Sequence, residues 1–259
     1  MYVADQLGQT LSFQHPPARI VSLVPSQTEL LFYLGACEKV VGVTRFCIHP
    51  SEAKTKAVVG GTKNFDIERI AQLQPDLIIG NKEENDLTGI KSLRQLFPVW
   101  MSDIATLDDA YAMINQLGEI VERKAEADKL VHDIQAAFSQ LVRAPALRVL
   151  YLIWRKPWMA AGPQTFIDHM LAQVGLVNVL TTPRYPALTE TDIHNLHPDI
   201  ILLSSEPYPF KPQHLTELKA ICPDTQFAFV DGEMFSWYGS RLRYAPAYLN
   251  TLVTNLAKQ

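Results

Sequence analysis

The stretch IERIAQLQPDLIIG, Ile67 to Gly80, returns in altered form as TETDIHNLHPDIILLS, Thr189 to Ser204. Ile70, Leu73, Pro75 and Asp76 of the first copy recur as Ile193, Leu196, Pro198 and Asp199, each displaced by 123 positions. In both copies apolar residues at helical spacing run up to a proline that the helix cannot pass. A run apolar on both faces follows, which is the pattern of a strand buried in a parallel sheet. Asp66 heads the first helix as a cap. A repeated helix–proline–strand joint implies a duplicated α/β unit. The position seven before the proline changes character: it is Glu68 in the first copy and Thr191 in the second.

The surroundings extend this reading. RIVSLVPS (Arg19–Ser26) and VVGV (Val40–Val43) read as buried strands that precede the first joint. SQTELLFYLG reads as a helix with Ser26 as N-cap, Glu29 closing a capping box and Gly35 as its stop. In the second half LRVLYLIW (Leu147–Trp154) is a strand, QTFIDHMLAQVG a helix ending at Gly175, and LVNVL a short strand. After the second joint come the strand FAFVDG (Phe227–Gly232) and a closing helix, PAYLNTLVTNLAK. Between the halves Thr106–Val142 contains no proline and keeps helical spacing through Leu107, Tyr111, Ile114, Leu117, Val121, Ala125, Leu130, Ile134 and Phe138. It reads as one spine, over 50 Å long at about 1.5 Å per residue. Gly118 is its weak point, and two kinked helices are the alternative. The expected division is an α/β lobe over 1–105, a connecting helical backbone over 106–143, and a second α/β lobe over 144–259.

Bulk properties narrow the function. The chain has 259 residues, 47% of them hydrophobic and 19% charged, with a net charge of −4. That is a globular balance without the basic surplus a nucleic-acid partner requires. No apolar run approaches the roughly 20 residues needed to span a bilayer. The opening MYVADQLGQTLSF has no basic segment followed by an apolar core, so no signal peptide is expected within it. The cysteines Cys37, Cys47 and Cys222 are odd in number and form no CxxC, which fits packed thiols.

Open α/β sheets bind ligands beyond the carboxyl ends of their strands. The loops expected there in the second half hold Trp154, Arg155, Trp158, Arg184, Tyr185, Tyr208, Trp237, Tyr238, Arg241 and Arg243. Three of the four tryptophans are among them, Trp100 being the fourth. Such rings suit a stacking surface for a flat ligand in a cleft between the lobes, or else they pack down on their own lobe. No GxSxG, GxxxxGK[ST] or GxGxxG is present, so no enzyme is expected. ETDIHNLH sets His194 and His197 three apart beside Glu190 and Asp192, as in either a metal site or a solvated helix face.

PPARIVSLVPSQTELLFYLG, VVGVTRFCIHP and FDIERIAQLQPDLII resemble, in order and spacing, the first lobe of the helical-backbone substrate-binding proteins of ABC importers, especially the vitamin B12-binding branch. DQLGQTLSF is similar to that family's opening hairpin. The resemblance implies two Rossmann-like lobes joined by a long α-helix, a ligand cleft between the lobes, no covalent cofactor, no resident metal and no catalysis. It further implies a monomer that serves an ABC permease dimer from a periplasmic or extracytoplasmic, membrane-associated place. The opening residues alone leave a cytoplasmic location open.

For the ligand, the resemblance points to cobalamin or another corrinoid. FSWYGSRL matches the stretch that sets a tryptophan against the corrin, which assigns ligand contact to Trp237 and, with it, to Trp154, Trp158, Tyr185 and Tyr238. A ferric siderophore or haem is the alternative, and Arg155, Arg184, Arg241 and Arg243 would then matter instead. One glutamate per lobe docks the transporter in that family. Glu68 matches the first, whereas the second position is Thr191, flanked by Glu190 and Asp192. A rival from another class is a soluble intracellular metal-binding protein or metalloenzyme that uses His194 and His197.

Overall fold

The computed structural model describes residues 2–144 and 146–256. Two compact units emerge: 2–104 with Asp108–Gln135 and Tyr238–Arg241, and Ala105–Leu107 with Ala136–Trp237 and 242–256.

The first unit opens with an antiparallel hairpin of β1 (Tyr2–Ala4) and β2 (Thr10–Ser12). Asp5 Oδ1 accepts the N–H groups of Leu7 and Gln9 in its turn, and Asp5 Oδ2 meets Arg94 at 3.1 Å. The sheet that follows is wholly parallel. Its strands are β3 (Ile20–Ser22), β4 (Val40–Val43), β5 (Ala57–Val58), β6 (Leu77–Asn81) and β7 (Val99–Ser102), in the order β5-β4-β3-β6-β7. Three helices connect them: α1 (Pro25–Tyr33), α2 (Ile67–Gln72) and α3 (Leu87–Arg94). Val21, Leu23, Ile70, Ile78, Ile90, Leu93 and Val99 form one core cluster.

Two expectations change here. Ser26 does not cap α1: Pro25 occupies the first helical position, so the N-cap is Val24, which makes no side-chain cap bond. Glu29 therefore completes no capping box and pairs with Arg241 instead. Gly35, at φ 75°, does end the helix.

The stretch over 106–142 is two helices, α4 (Leu107–Ile120) and α5 (Lys124–Phe138). Glu122 adopts φ 62° between them, the Arg123 N–H reaches the Gly118 carbonyl at 2.7 Å, and the Glu122 N–H reaches that of Glu119. This is a Schellman stop with glutamate in the position glycine usually fills. Lys39 Nζ adds a bond of 3.1 Å to the Val121 carbonyl. Gly118 serves the turn by contact, since a Cβ there would lie 2.3 Å from Cβ of Ala127 in α5.

The second unit carries a mixed sheet. β8 (Arg148–Trp154), β12 (Ile200–Ser204) and β13 (Gln226–Val230) are parallel. β9 (Trp158–Ala160) turns back antiparallel beside the carboxyl half of β8, and β10 (Val177–Asn178) pairs with its amino half. β11 (Ala187–Leu188) closes that edge. The helices are α6 (Phe166–Gln173), α7 (Glu190–Asn195), α8 (Leu215–Ile221), α9 (Glu233–Ser236) and α10 (Ala245–Leu256). Leu150, Leu152, Ile193, Ile201, Leu203 and Leu218 pack its core.

The repeated phrase is a repeated joint in physical detail. Gln74 at φ 47° and His197 at φ 45° occupy the same left-handed position before Pro75 and Pro198. Asp76 then accepts the Ala18 and Arg19 N–H groups at 2.8 and 2.9 Å, while Asp199 accepts that of Arg148 at 2.7 Å. Arg19 and Arg148 reach over the helix ends to the carbonyls of Leu73 and Leu196. Each joint thus ties a helix end to the start of a neighbouring strand.

Candidate functional site

Parallel strands bring their carboxyl ends to one edge, and the chemistry collects there in each unit. In the first unit that edge is built on a polar network. Gln27 and Asn81 both donate to Ser102 Oγ, at 2.6 and 2.9 Å. Asn81 Oδ1 accepts the N–H groups of Glu83 and Glu84, and Asn85 Oδ1 accepts that of Asn81. These bonds hold the loop after β6 in a fixed shape. The loop after β4 presents Phe46, 53% exposed, and Ile48, 43% exposed. Cys47 between them is buried against the Thr28 and Thr44 hydroxyls, and burial raises its thiol pKa.

Tyr238 and Arg241 fall in this unit. The Tyr238 hydroxyl donates to Glu84 Oε1. Arg241 binds both carboxylate oxygens of Glu29, at 3.0 and 2.8 Å. Such a planar, two-bond pairing is the strong form of the interaction.

In the second unit the edge carries Trp154 at the end of β8, 39% exposed. Its ring meets Tyr208 edge-on at 5.6 Å, Tyr208 meets Phe210 at 5.0 Å, and Phe210 stacks on Trp158 at 6.2 Å. The Lys211 N–H donates to His214 Nδ1, which leaves Nε2 as the donor to the Tyr208 hydroxyl, 3.2 Å away. Only the outer end of this chain of rings is open, because Trp158 is 8% exposed and sits in the core. Trp237 follows α9 and is 7% exposed. Its indole N–H donates to Glu206 Oε1 at 2.9 Å, as does the Ser236 hydroxyl at 2.8 Å. Gly232 makes room for this arrangement, since a Cβ there would lie 2.6 Å from Cγ of Glu206.

The arginines have partners within their own units. Arg155 forms a two-bond pair with Glu217, which lowers the Glu217 pKa. Arg184, at φ 68°, donates to the Gln164 carbonyl at 3.0 Å beside the half-buried Tyr185. Arg243 lies over the Tyr244 ring at 4.7 Å and bonds its hydroxyl.

The acidic candidates separate. Glu68 is exposed in the first turn of α2, which Asp66 caps by accepting the Arg69 N–H. Thr189 caps α7 at the matching position, and Asp192 closes the box by accepting the Thr189 N–H and hydroxyl at 2.8 and 2.7 Å. Those bonds lower its pKa. Glu190 remains exposed beside them and lines a groove of about 460 Å³ with Lys156, Trp158, Leu188 and the Arg155–Glu217 pair.

His194 Nδ1 lies 2.8 Å from the Ile221 carbonyl, and its ring meets His197 at 5.7 Å. Among the described residues no three His, Cys, Asp or Glu side chains group closely enough to hold a metal ion. No helix among them is long and apolar enough to cross a membrane.

Sequence reasoning passed over Phe46, Glu84 and Glu206. Phe46 was legible as an aromatic in a strand-end loop, whereas the two glutamates matter through partners distant in sequence.

The chain is similar in sequence and fold to known proteins. A vitamin B12-binding protein of Pectobacterium carotovorum is 26% identical over 200 residues, covering 74% of this chain and 72% of its own. An uncharacterised ABC transporter substrate-binding lipoprotein of Bacillus subtilis is 28% identical over 213 residues, covering 77% of this chain and 68% of its own. A periplasmic haem-binding protein of Roseiflexus, solved in its apo form, superposes with a TM-score of 0.78 at 22% identity, over 93% of this chain and 98% of its own. The periplasmic binding protein family model matches residues 20–220. The chain belongs to the periplasmic binding protein family.

Proposed function

We propose that this chain is the substrate-binding component of an ABC importer, that it captures a corrinoid, and that it performs no chemistry on its cargo. The observation that carries the ligand choice is that four arginines of the second-half loops are already paired. Arg241 holds both oxygens of Glu29, Arg155 both of the exposed Glu217, Arg184 a backbone carbonyl, and Arg243 a tyrosine. An anionic siderophore, or the propionates of haem, would have to displace those partners. A corrinoid, broad and edged by amides, asks instead for ring faces and a few polar groups. Trp154, edge-on to the half-buried Tyr208, and Phe46 in the first unit supply exposed aromatic area, whereas Trp158, Trp237 and Tyr238 are buried and Tyr185 is half-buried. Several relatives are vitamin B12-binding proteins, which favours the same reading.

For delivery, the exposed Glu68 and Glu190 are the docking carboxylates, and Asp192 closes the capping box that orders α7. Calorimetry with cyanocobalamin tests the ligand, and Trp154→Ala should weaken binding about tenfold, the scale of one lost aromatic contact. No heat at high micromolar corrinoid, together with saturable binding of ferric siderophore or haemin, would defeat the choice of ligand and leave the transport role standing.

A further inference from the structure

We propose that Glu206 is a positioning residue: its Oε1, accepting both the Trp237 indole N–H and the Ser236 hydroxyl, fixes the ring behind the ligand-facing edge of the second unit. The ligand consequence rests on the function proposed above, but the geometry does not. Glu206 is half-buried in a cradle shaped by Gly232, and the Ser204 hydroxyl donates to its backbone carbonyl. Tyr151, on β8, donates to that same Ser204 oxygen. No described lysine or arginine pairs with Glu206, and the charged groups that act on it, Glu233 and Asp231, are acids. Tyr248 on α10 faces this cluster through its bond from the Asp231 N–H.

A carboxylate held among acids, without a cation, opposes folding, so its place is better explained by what it holds. Loss of water around the carboxyl raises the Glu206 pKa, and Glu233 and Asp231 raise it further, against the Ser236 and Trp237 bonds. Protonation removes the charge from the acceptor. The indole grip should therefore weaken as pH falls through the Glu206 titration.

Two arms test this on the full chain. The first takes the fluorescence of wild type minus Trp237→Phe, without ligand, from pH 4 to pH 8. A step is expected in wild type and should vanish in Glu206→Gln, which keeps the acceptor oxygen and has no charge to titrate. A flat difference signal in wild type, or a step that persists in Glu206→Gln, would overturn the proposal. The second arm measures cyanocobalamin affinity: Glu206→Ala should weaken it about tenfold, as for a lost hydrogen bond to a charged group, and Glu206→Gln should remove its pH dependence. An indole step with pH-independent wild-type affinity would overturn the link to ligand. If wild type binds no corrinoid at any pH, the proposed function fails, and the ligand-free arm still decides the role of Glu206.

Discussion

Gly118→Ala puts two known effects in opposition at one atom. In an ordinary helix interior the change stabilises by about 1 kcal/mol, because alanine loses less backbone freedom on folding than glycine. Here the added Cβ would lie 2.3 Å from Cβ of Ala127 and 3.2 Å from the Arg123 carbonyl oxygen. Carbon atoms rest about 3.5–4.0 Å apart, so α4 and α5 must separate by more than an ångström or the turn must open. Ala127 is fully buried, and the contact ends in backbone on one side, so no flexible side chain can yield. Overpacking of this kind costs about 1–3 kcal/mol, and a methyl pressed well inside contact distance belongs at the upper end. The net expectation is a loss of about 1–2 kcal/mol, or roughly 2–8 °C in a thermal melt followed by circular dichroism. Adding Ala127→Gly should recover part of the loss, since the two sites share one contact. A melting temperature that rises in Gly118→Ala would refute the tight turn between the helices.

Other expectations follow from single contacts. Asp76→Ala and Asp199→Ala should each lower the urea midpoint by the equivalent of about 1–3 kcal/mol, Asp76 more because it accepts two backbone N–H groups and Asp199 one; equal midpoints for wild type and both variants would remove the joint's structural role. Asp192→Ala should cost about 1 kcal/mol through the α7 cap, whereas Glu190→Ala should stay within about 0.5 kcal/mol. In cells that depend on this importer, Glu68→Ala with Glu190→Ala should cut uptake while ligand affinity holds, and undiminished uptake would sink the docking assignment. Because the Glu206 pKa is raised in the folded state, that state takes up its proton first, so stability rises as pH falls through the titration. Glu206→Gln should therefore melt higher than wild type at pH 8, with the gain gone at pH 4.

The two lobes were legible because their signals are local. Proline, aspartate and a doubly apolar strand mark each joint within about 14 residues, and Gly35 and Gly175 stop their helices with the positive φ that favours glycine. What stayed hidden depends on long-range partners. The Glu29 partner, Arg241, lies 212 positions away, and that of Arg155 lies 62 away. From sequence alone those arginines look free for a ligand. The break between α4 and α5, the alternative that Gly118 left open, was not legible in its place: Glu122 takes the left-handed position, a residue type that announces no stop. Ser26 misled because Pro25 before it claims the first helical position and moves the cap to Val24.

The proposed corrinoid binding rests on aromatic area rather than on the charge of the paired arginines. Titration calorimetry of the wild-type chain with cyanocobalamin, set beside haemin and a ferric siderophore under the same conditions, tests it most directly. Saturable one-to-one binding of the corrinoid is expected, with little or none of the anionic chelates. Tight binding of haemin or the siderophore with no heat from cyanocobalamin would contradict it.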